Sequence, residues 1–269
     1  MLVVGGGPAG VAAATTAAQL GWRVVLAEAR NHLGGQLALA GSTVARRALW
    51  HRWAGWAESE LRANAVEVRV STLITERDCV DYKRVVIATG ARASGPPARS
   101  LGRLAAFDAW AVIAEPYLLP GSILIVDHEG EWSALDCAEV LATHGHAVSL
   151  TTAAHSAGHG LRRWEQEAYR ARLRALGVRI LTCHELVTGP PPSAPVLRHV
   201  PSGLVRPLSH QVGAIVFASV REPQNQLCSQ LQGRPGIIVV GDAAAPRALE
   251  DAIVDGTQAV PSGSRAFMA

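Results

Sequence analysis

Hydrophobic positions in this chain come as short unbroken runs, separated by glycine turns and by longer stretches of helical periodicity. Leu2-Val3-Val4 is such a run. It leads into Gly5-Gly6-Gly7-Pro8-Ala9-Gly10 and then into an Ala/Thr-rich helix, Val11 to Leu20, with Gly21 as its C-cap. The next strand is Arg23 to Glu28. Unbroken apolar runs, in contrast to alternating ones, mark strands buried on both faces of a parallel sheet. The rhythm continues with a helix over Arg46 to Arg62, an alternating strand over Val66 to Val70, and a buried strand from Arg84 that ends in Thr89-Gly90. Gly95-Pro96-Pro97 opens a connector. A second series then begins: strand Ser122 to Asp127, helix Trp132 to His144, strand His146 to Thr151, amphipathic helix Arg162 to Leu176, and strands Val178 to Thr182 and Gly213 to Ala218. Gly189-Pro190-Pro191-Pro192 reads as a surface turn. The last unit is the strand Gly236 to Val240 with Gly241-Asp242 behind it, then a helix from about Arg247 to Val260 that Pro261 ends. Recurrent strand–helix–strand units predict an α/β fold. Two similar starts, at Leu2 and Ile123, predict two Rossmann-like domains, the second inserted in the first: 1–117 with 224–269, and 118–223.

Composition changes this picture little. Hydrophobic residues at 49% and charged residues at 17% exclude a disordered chain. The net charge of +3 rests almost wholly on arginine, with Lys83 the one lysine. That bias, beside so much alanine, reads as a GC-rich bacterial genome, and the sequence carries no aromatic-interleaved basic stretch for nucleic acid. Cys79, Cys137, Cys183 and Cys228 form no C-x-x-C, which disfavours a redox dithiol, a zinc site or an iron–sulfur cluster held by this chain. The expectation is reduced thiols in a cytoplasmic protein with no membrane span and no metal.

Gly5-x-Gly7-x-x-Gly10 carries the chemistry of the first unit. Gly5 permits the tight turn, Gly7 lets a pyrophosphate approach the backbone, and Gly10 lets helix lie close on strand. Pro8 and Ala9 complete the loop, and the helix N-terminus behind it faces phosphate. Glu28, with Ala29 and Arg30, ends the second strand, where an acid can bind ribose hydroxyls and a 2′-phosphate is disfavoured. Gly34-Gly35-Gln36 would let a loop run along a pyrophosphate and a ribityl chain. Ala88-Thr89-Gly90 and Gly241-Asp242 end further strands, where ligands of open parallel sheets sit. Asp242 could accept from a ribityl hydroxyl, or be a plain N-cap or turn residue.

In this order the four segments resemble the two-dinucleotide-binding-domain flavoproteins, the glutathione-reductase-like class. Gly241-Asp242-Ala243-Ala244-Ala245-Pro246-Arg247 with Ala252 and Gly256, Leu33-Gly34-Gly35-Gln36, and Arg221 to Asn225 narrow the resemblance. They are similar to the C-terminal region of old-yellow-enzyme-like enzymes: trimethylamine dehydrogenase, 2,4-dienoyl-CoA reductase and betaine or N-methylamine demethylases. The resemblance implies FAD, with ADP as an alternative occupant. In that family an FMN-binding barrel and a Cys-ligated [4Fe–4S] segment precede this region. A barrel takes about 250 residues, so 269 residues cannot hold both. The expectation is therefore a redox module that exchanges electrons with a barrel-bearing FMN/iron–sulfur subunit or an electron carrier, in N-methylamine or betaine oxidation. The alternatives are a non-catalytic ADP- or FAD-binding partner subunit and an NAD(P)H-dependent flavin reductase.

The second unit departs from the pattern. Asp127-His128-Glu129-Gly130-Glu131-Trp132 follows its first strand without a G-x-G-x-x-G, and three carboxylates lie where a pyrophosphate would approach. Its next strand ends Ser149-Leu150-Thr151-Thr152 with no acidic ribose partner. An NAD(P)H site there is disfavoured. Histidines 128, 144, 146, 155 and 159 lack metal-ligand spacing and read as surface or capping residues. No side chain stands out as a catalytic acid, base or nucleophile. A module that normally docks on a larger enzyme should carry an apolar patch, for which Trp50, Trp53, Trp56, Trp110 and Trp132 are candidates.

Overall fold

The computed structural model describes residues 1–96, 101–102, 104–116, 119–188, 195–209 and 211–260. The Gly189–Pro192 turn and Pro261 lie outside these residues, as does Pro97. The chain divides into two compact units, Met1–Arg92 with Glu222–Ala269, and Ala93–Arg221.

The first unit opens with β1 (Leu2–Val4), α1 (Pro8–Gln19), β2 (Val25–Ala27), α2 (Gln36–Ala40), α3 (Arg47–Ala63), β3 (Glu67–Arg69), β4 (Val85–Ile87) and the crossing strand β5 (Ala91–Ala93). The inserted unit follows with β6 (Ala105–Asp108), α4 (Ala109–Ala114), β7 (Ser122–Asp127), α5 (Trp132–Thr143), β8 (Val148–Thr152), α6 (Arg163–Ala175), β9 (Arg179–Leu181), β10 (His184–Val187), β11 (Val196–His199), β12 (Val205–Pro207) and β13 (Val212–Ala218). The chain returns through β14 (Arg221–Pro223) and completes the first unit with α7 (Gln226–Gln230), β15 (Ile237–Val239) and α8 (Leu249–Gln258).

The first sheet has the order β15-β4-β1-β2-β3, all parallel. Its short apolar runs are buried on both faces, as side chains alternate across a strand. Val3, Leu26 and Val86 face α1, α3 and the end of α8, joining Ala13, Ala14, Ala17, Ala57 and Leu61. Their neighbours Leu2, Val4, Val25, Val85 and Ile87 face the other way, onto Cys79, Leu227 and Leu231. Alanines let α1 sit close to its surroundings: a Cβ on Gly256 of α8 would lie 2.1 Å from the Ala9 carbonyl oxygen. Gly21 adopts φ +89° just after the capping residue Leu20, so it ends α1 one position later than a C-cap.

The inserted unit repeats the design with a parallel sheet β6-β13-β7-β8-β9 and adds an antiparallel sheet β10-β11-β12. The boundary expected at 117/118 falls instead at Arg92/Ala93. The reason is physical: β6 pairs in register with β13, Ala105 opposite Ala214 through Asp108 opposite Phe217. Segment 93–116 therefore belongs to the insert. The return falls at Arg221/Glu222, two residues before the expected 223/224. Helix α4, which the apolar pattern does not reveal, is started by Asp108, whose carboxylate accepts from the Trp110 and Ala111 amides at 2.9 and 3.2 Å.

Candidate functional site: the groove at the strand ends of the first unit

Because the strands of the first sheet are parallel, the residues after β1, β2, β4 and β15 all emerge at one edge. Gly5 and Gly10 fit their places for the reasons their spacing implies. A Cβ on Gly5, at φ +108°, would lie 2.3 Å from the Ala88 carbonyl oxygen, and one on Gly10 would lie 1.9 Å from the Gly5 carbonyl oxygen. The two glycines lock the loop between β1, β4 and α1. Gly7 differs: a Cβ there would meet nothing within 4 Å. It is the N-cap of α1, with Pro8 in the first turn and no side-chain cap. The helix N-terminus thus opens onto free space, where its unpaired amides can receive an anion.

Glu28 is buried and already occupied. One carboxylate oxygen accepts the Gly6 amide at 2.7 Å and the other accepts the Arg30 amide at 2.8 Å. The acid ties the glycine loop to the turn after β2, and only its remaining lone pairs are available to a ribose. Ala29 and Arg30 stand exposed beside it, the Arg30 guanidinium 3.5 Å from the Gly35 carbonyl oxygen.

The turn Gly34-Gly35 comes back onto the first loop. The Gly34 amide donates to the Gly6 carbonyl at 2.8 Å, and a Cβ on Gly35 would lie 3.5 Å from the Gly7 Cα. Gln36 donates through Nε2 to the Asp242 carboxylate at 2.9 Å, and the Arg247 amide donates to the other Asp242 oxygen at 3.1 Å. A Cβ on Gly90 would stand 3.9 Å from the Gln36 Nε2, so this glycine also borders the opening. Thr89 donates its hydroxyl to the Gln224 carbonyl, and the Gln224 amide donates to the Gly90 carbonyl at 2.9 Å. Gly7, Gly35, Gln36, Thr89, Gly90 and Asp242 are all half-buried, while Ala88 and Gly241 are buried.

Sequence reasoning missed Asp255. Its carboxylate accepts the Gly241 amide at 3.1 Å and pairs with Arg247, which fixes the loop carrying Asp242. An acid beside Gly256 on the last helix was the available signal. The role of Trp50 was also invisible: its side chain fills the space that Cβ atoms on Gly34 and Gly41 would enter, with its ring 2.3 Å from each, and it stacks on Trp53.

The corresponding loop of the inserted unit is closed by its own side chains. Buried Asp127 accepts the Gly130 amide at 2.7 Å. Glu129 pairs with Arg221 at 2.8 Å, with side-chain exposures of 4% and 11%, and accepts the Ser133 hydroxyl. Burial outweighs both partners and pushes Glu129 up from 4.5 to about 7. Asp127 is shifted upward for the same reason. The His159 ring occupies the space above Gly130, where a Cβ would come within 2.0 Å of it, and the Gly160 amide donates to the Gly130 carbonyl at 2.8 Å. The three carboxylates expected to repel a pyrophosphate are thus turned to different tasks. Asp127 and Glu129 hold the loop from inside, and Glu131 lies against Gly160.

Among the described residues, no group of three or more His, Cys, Asp or Glu could hold a metal ion. No described helix is long and apolar enough to cross a membrane. Of the five tryptophans expected on an apolar patch, Trp56 is exposed, as are Leu49 and Val44, and Trp50 and Trp53 are half-buried. Trp110 and Trp132 stack on each other, also half-buried.

Residues 1–87 match the family described as FAD dependent oxidoreductase. An NADH oxidase of Thermoanaerobacter brockii is 34% identical over 158 residues, 56% of this chain and 24% of that protein. A probable N-methylproline demethylase of Rhizobium meliloti is 26% identical over 290 residues, 95% of this chain and 42% of that protein. Histamine dehydrogenase from Rhizobium sp. 4-9 shares the fold over 100% of this chain and 44% of that one, with TM-score 0.85 and 24% identity. The fold is that of two-Rossmann flavoproteins such as a thioredoxin reductase of Lactococcus lactis, matched with TM-score 0.66 at 19% identity over 96% of this chain and 95% of that one, and its first 87 residues match the FAD dependent oxidoreductase family. Over nearly its whole length the chain is thus similar to one part of the N-methylproline demethylase and of histamine dehydrogenase. It spans less than half the length of the two curated relatives described.

Proposed function

We propose that FAD lies in the groove of the first unit and that the protein relays electrons between this flavin and a second redox centre. The observation that carries the reading is the convergence of Gly7, Gly35, Gln36, Gly90 and Asp242 on one opening at the strand ends. Bare glycine backbone and a helix N-terminus suit a pyrophosphate. The Gln36–Asp242 pair offers a donor and acceptors to a hydroxylated chain. The chain's own residues bind and orient; a bound flavin supplies the hydride and electron chemistry.

The second centre is an FMN or iron–sulfur group on a barrel-bearing subunit, or a soluble carrier. Its substrate class is N-methylated amines or betaines. The resemblance and the dehydrogenase and demethylase relatives support this, since those proteins extend well beyond the matched stretch. The self-filled loop at Asp127–Trp132 favours this relay over a self-contained NAD(P)H-dependent flavin reductase. Against it stands the NADH oxidase relative, whose match covers only 56% of this chain.

The test is the visible spectrum of the purified chain after incubation with FAD and desalting. Retained bands near ~370 and ~450 nm are expected of bound flavin. Reduction by dithionite but not by NADH under anaerobic conditions is expected of the relay. Bleaching by NADH would establish the reductase reading. A colourless protein that releases ADP on denaturation would leave a structural nucleotide-binding subunit.

A further inference from the structure

We propose that Cys183 and His155 form a reactive thiol–imidazole pair, the site at which this protein exchanges with small disulfides. The Cys183 Sγ lies 3.2 Å from the His155 Nδ1. The pair is built by backbone: the Cys183 amide donates to the carbonyl of Ala154, the residue before His155, at 2.9 Å. The Val200 amide donates to the Cys183 carbonyl at 2.8 Å. Cys183 sits in the two-residue turn from β9 to β10, held by both backbone bonds, with its sulfur against the His155 ring. His155 is exposed and Cys183 half-exposed, so a small reagent reaches both.

The other cysteines lack this combination. Cys137 is fully buried and its thiol is pushed far up by desolvation. Cys79 is buried, shifted upward for the same reason, and donates to the Thr75 carbonyl. Cys228 is half-exposed among the apolar residues under the first sheet. Only Cys183 has a nitrogen base within reach of its proton among the interactions described for the four.

The step balances without further reagents. As the Cys183 sulfur attacks one sulfur of a low-molecular-weight disulfide, the His155 imidazole takes the thiol proton. The S–S bond of the reagent breaks, and its other half leaves as a thiolate that collects that proton. The products are a mixed disulfide on Cys183 and one free small thiol. The pair lies in the inserted unit, and the proposal is independent of the FAD reading.

The experiment treats the native full chain with 4,4′-dithiodipyridine and follows release of the pyridinethione, with peptide mapping of the adduct. One fast equivalent located on Cys183 is expected. Cys183→Gly should lose it, a substitution suited to the φ of +56° at this position. His155→Ala should slow it by about a hundredfold, and free imidazole in the buffer should restore part of the rate, which a purely structural role of His155 would not allow. Fast labelling mapped to Cys228 would overturn the assignment, as would a His155→Ala rate equal to that of the parent chain.

Discussion

At the scale of single residues, the groove depends on contacts that leave no room for a methyl group. A Cβ on Gly10 would sit 1.9 Å from the Gly5 carbonyl oxygen, a backbone atom that cannot swing aside. Gly10→Ala should therefore push α1 off the loop, with a cost of about 1–3 kcal/mol and loss of flavin retention. The checks are the urea midpoint and the absorbance near ~450 nm after desalting. Glu28→Gln is subtler. The amide keeps one acceptor for the Gly6 or Arg30 amide but turns an N–H toward the other, leaving a buried donor unsatisfied. The expected cost is about 1–3 kcal/mol, with weaker FAD binding by fluorescence titration; unchanged stability would show that the two amide contacts are not made in solution. The steric roles of Gly5 and Gly10 were legible in the sequence because a tight turn and a close helix–strand approach are carried by the G-x-G-x-x-G spacing itself. The bond between Gln36 and Asp242 was not, since it joins residues 206 positions apart and only the folded sheet edge brings them together.

At the scale of elements, α8 ties the core of the first unit to its strand-end loops and gives the unit its best test. It lies on α1 through small residues, with Gly256 over the Ala9 carbonyl and Ala252 near Gly241. It also carries Asp255, which holds the Gly241 amide. Gly256→Val should displace α8, free the Gly241–Asp242 turn and abolish flavin retention while the inserted unit stays folded. Limited proteolysis with mass mapping would show cleavage in 241–260 with fragments of 93–221 preserved; a variant that keeps its flavin and resists cleavage would refute this coupling. The elements that sequence reasoning found are those with strong internal patterns: apolar runs flanked by glycine, and long periodic helices. It missed β10, β11 and β12, whose residues are half-buried or exposed and give neither a continuous run nor a clean alternation. It assigned 93–117 to the wrong unit because membership there is decided by the pairing of β6 with β13, more than a hundred residues later, and not by anything local.

At the scale of the whole molecule, two units with separate cores need not unfold together, and pH should separate them. The inserted unit buries Glu129, which titrates near 7 in the folded state against an ordinary 4.5. Between these values the folded unit holds a proton that the unfolded chain has released. Stability from this group is therefore complete below about 4.5 and is lost as pH rises through about 7, a difference on the order of 3 kcal/mol. Asp127, shifted in the same direction, adds to the slope. The carboxylates that fill this loop thus also make its unit more stable in mild acid than above neutrality. Urea unfolding at pH 5 and pH 8, read by hydrogen exchange on segments of each unit, should show the inserted unit weakened at the higher pH. Glu129→Gln should shrink that difference, because the amide has no proton to lose: its oxygen can accept from Arg221 while its NH2 faces the Ser133 hydroxyl, which can turn to accept. An unchanged pH dependence in the variant would mean that Glu129 is charged in the folded protein, with Arg221 as its full counterion. The loop would then be held shut by an ion pair, and high salt, more than acid, would be the condition that alters it.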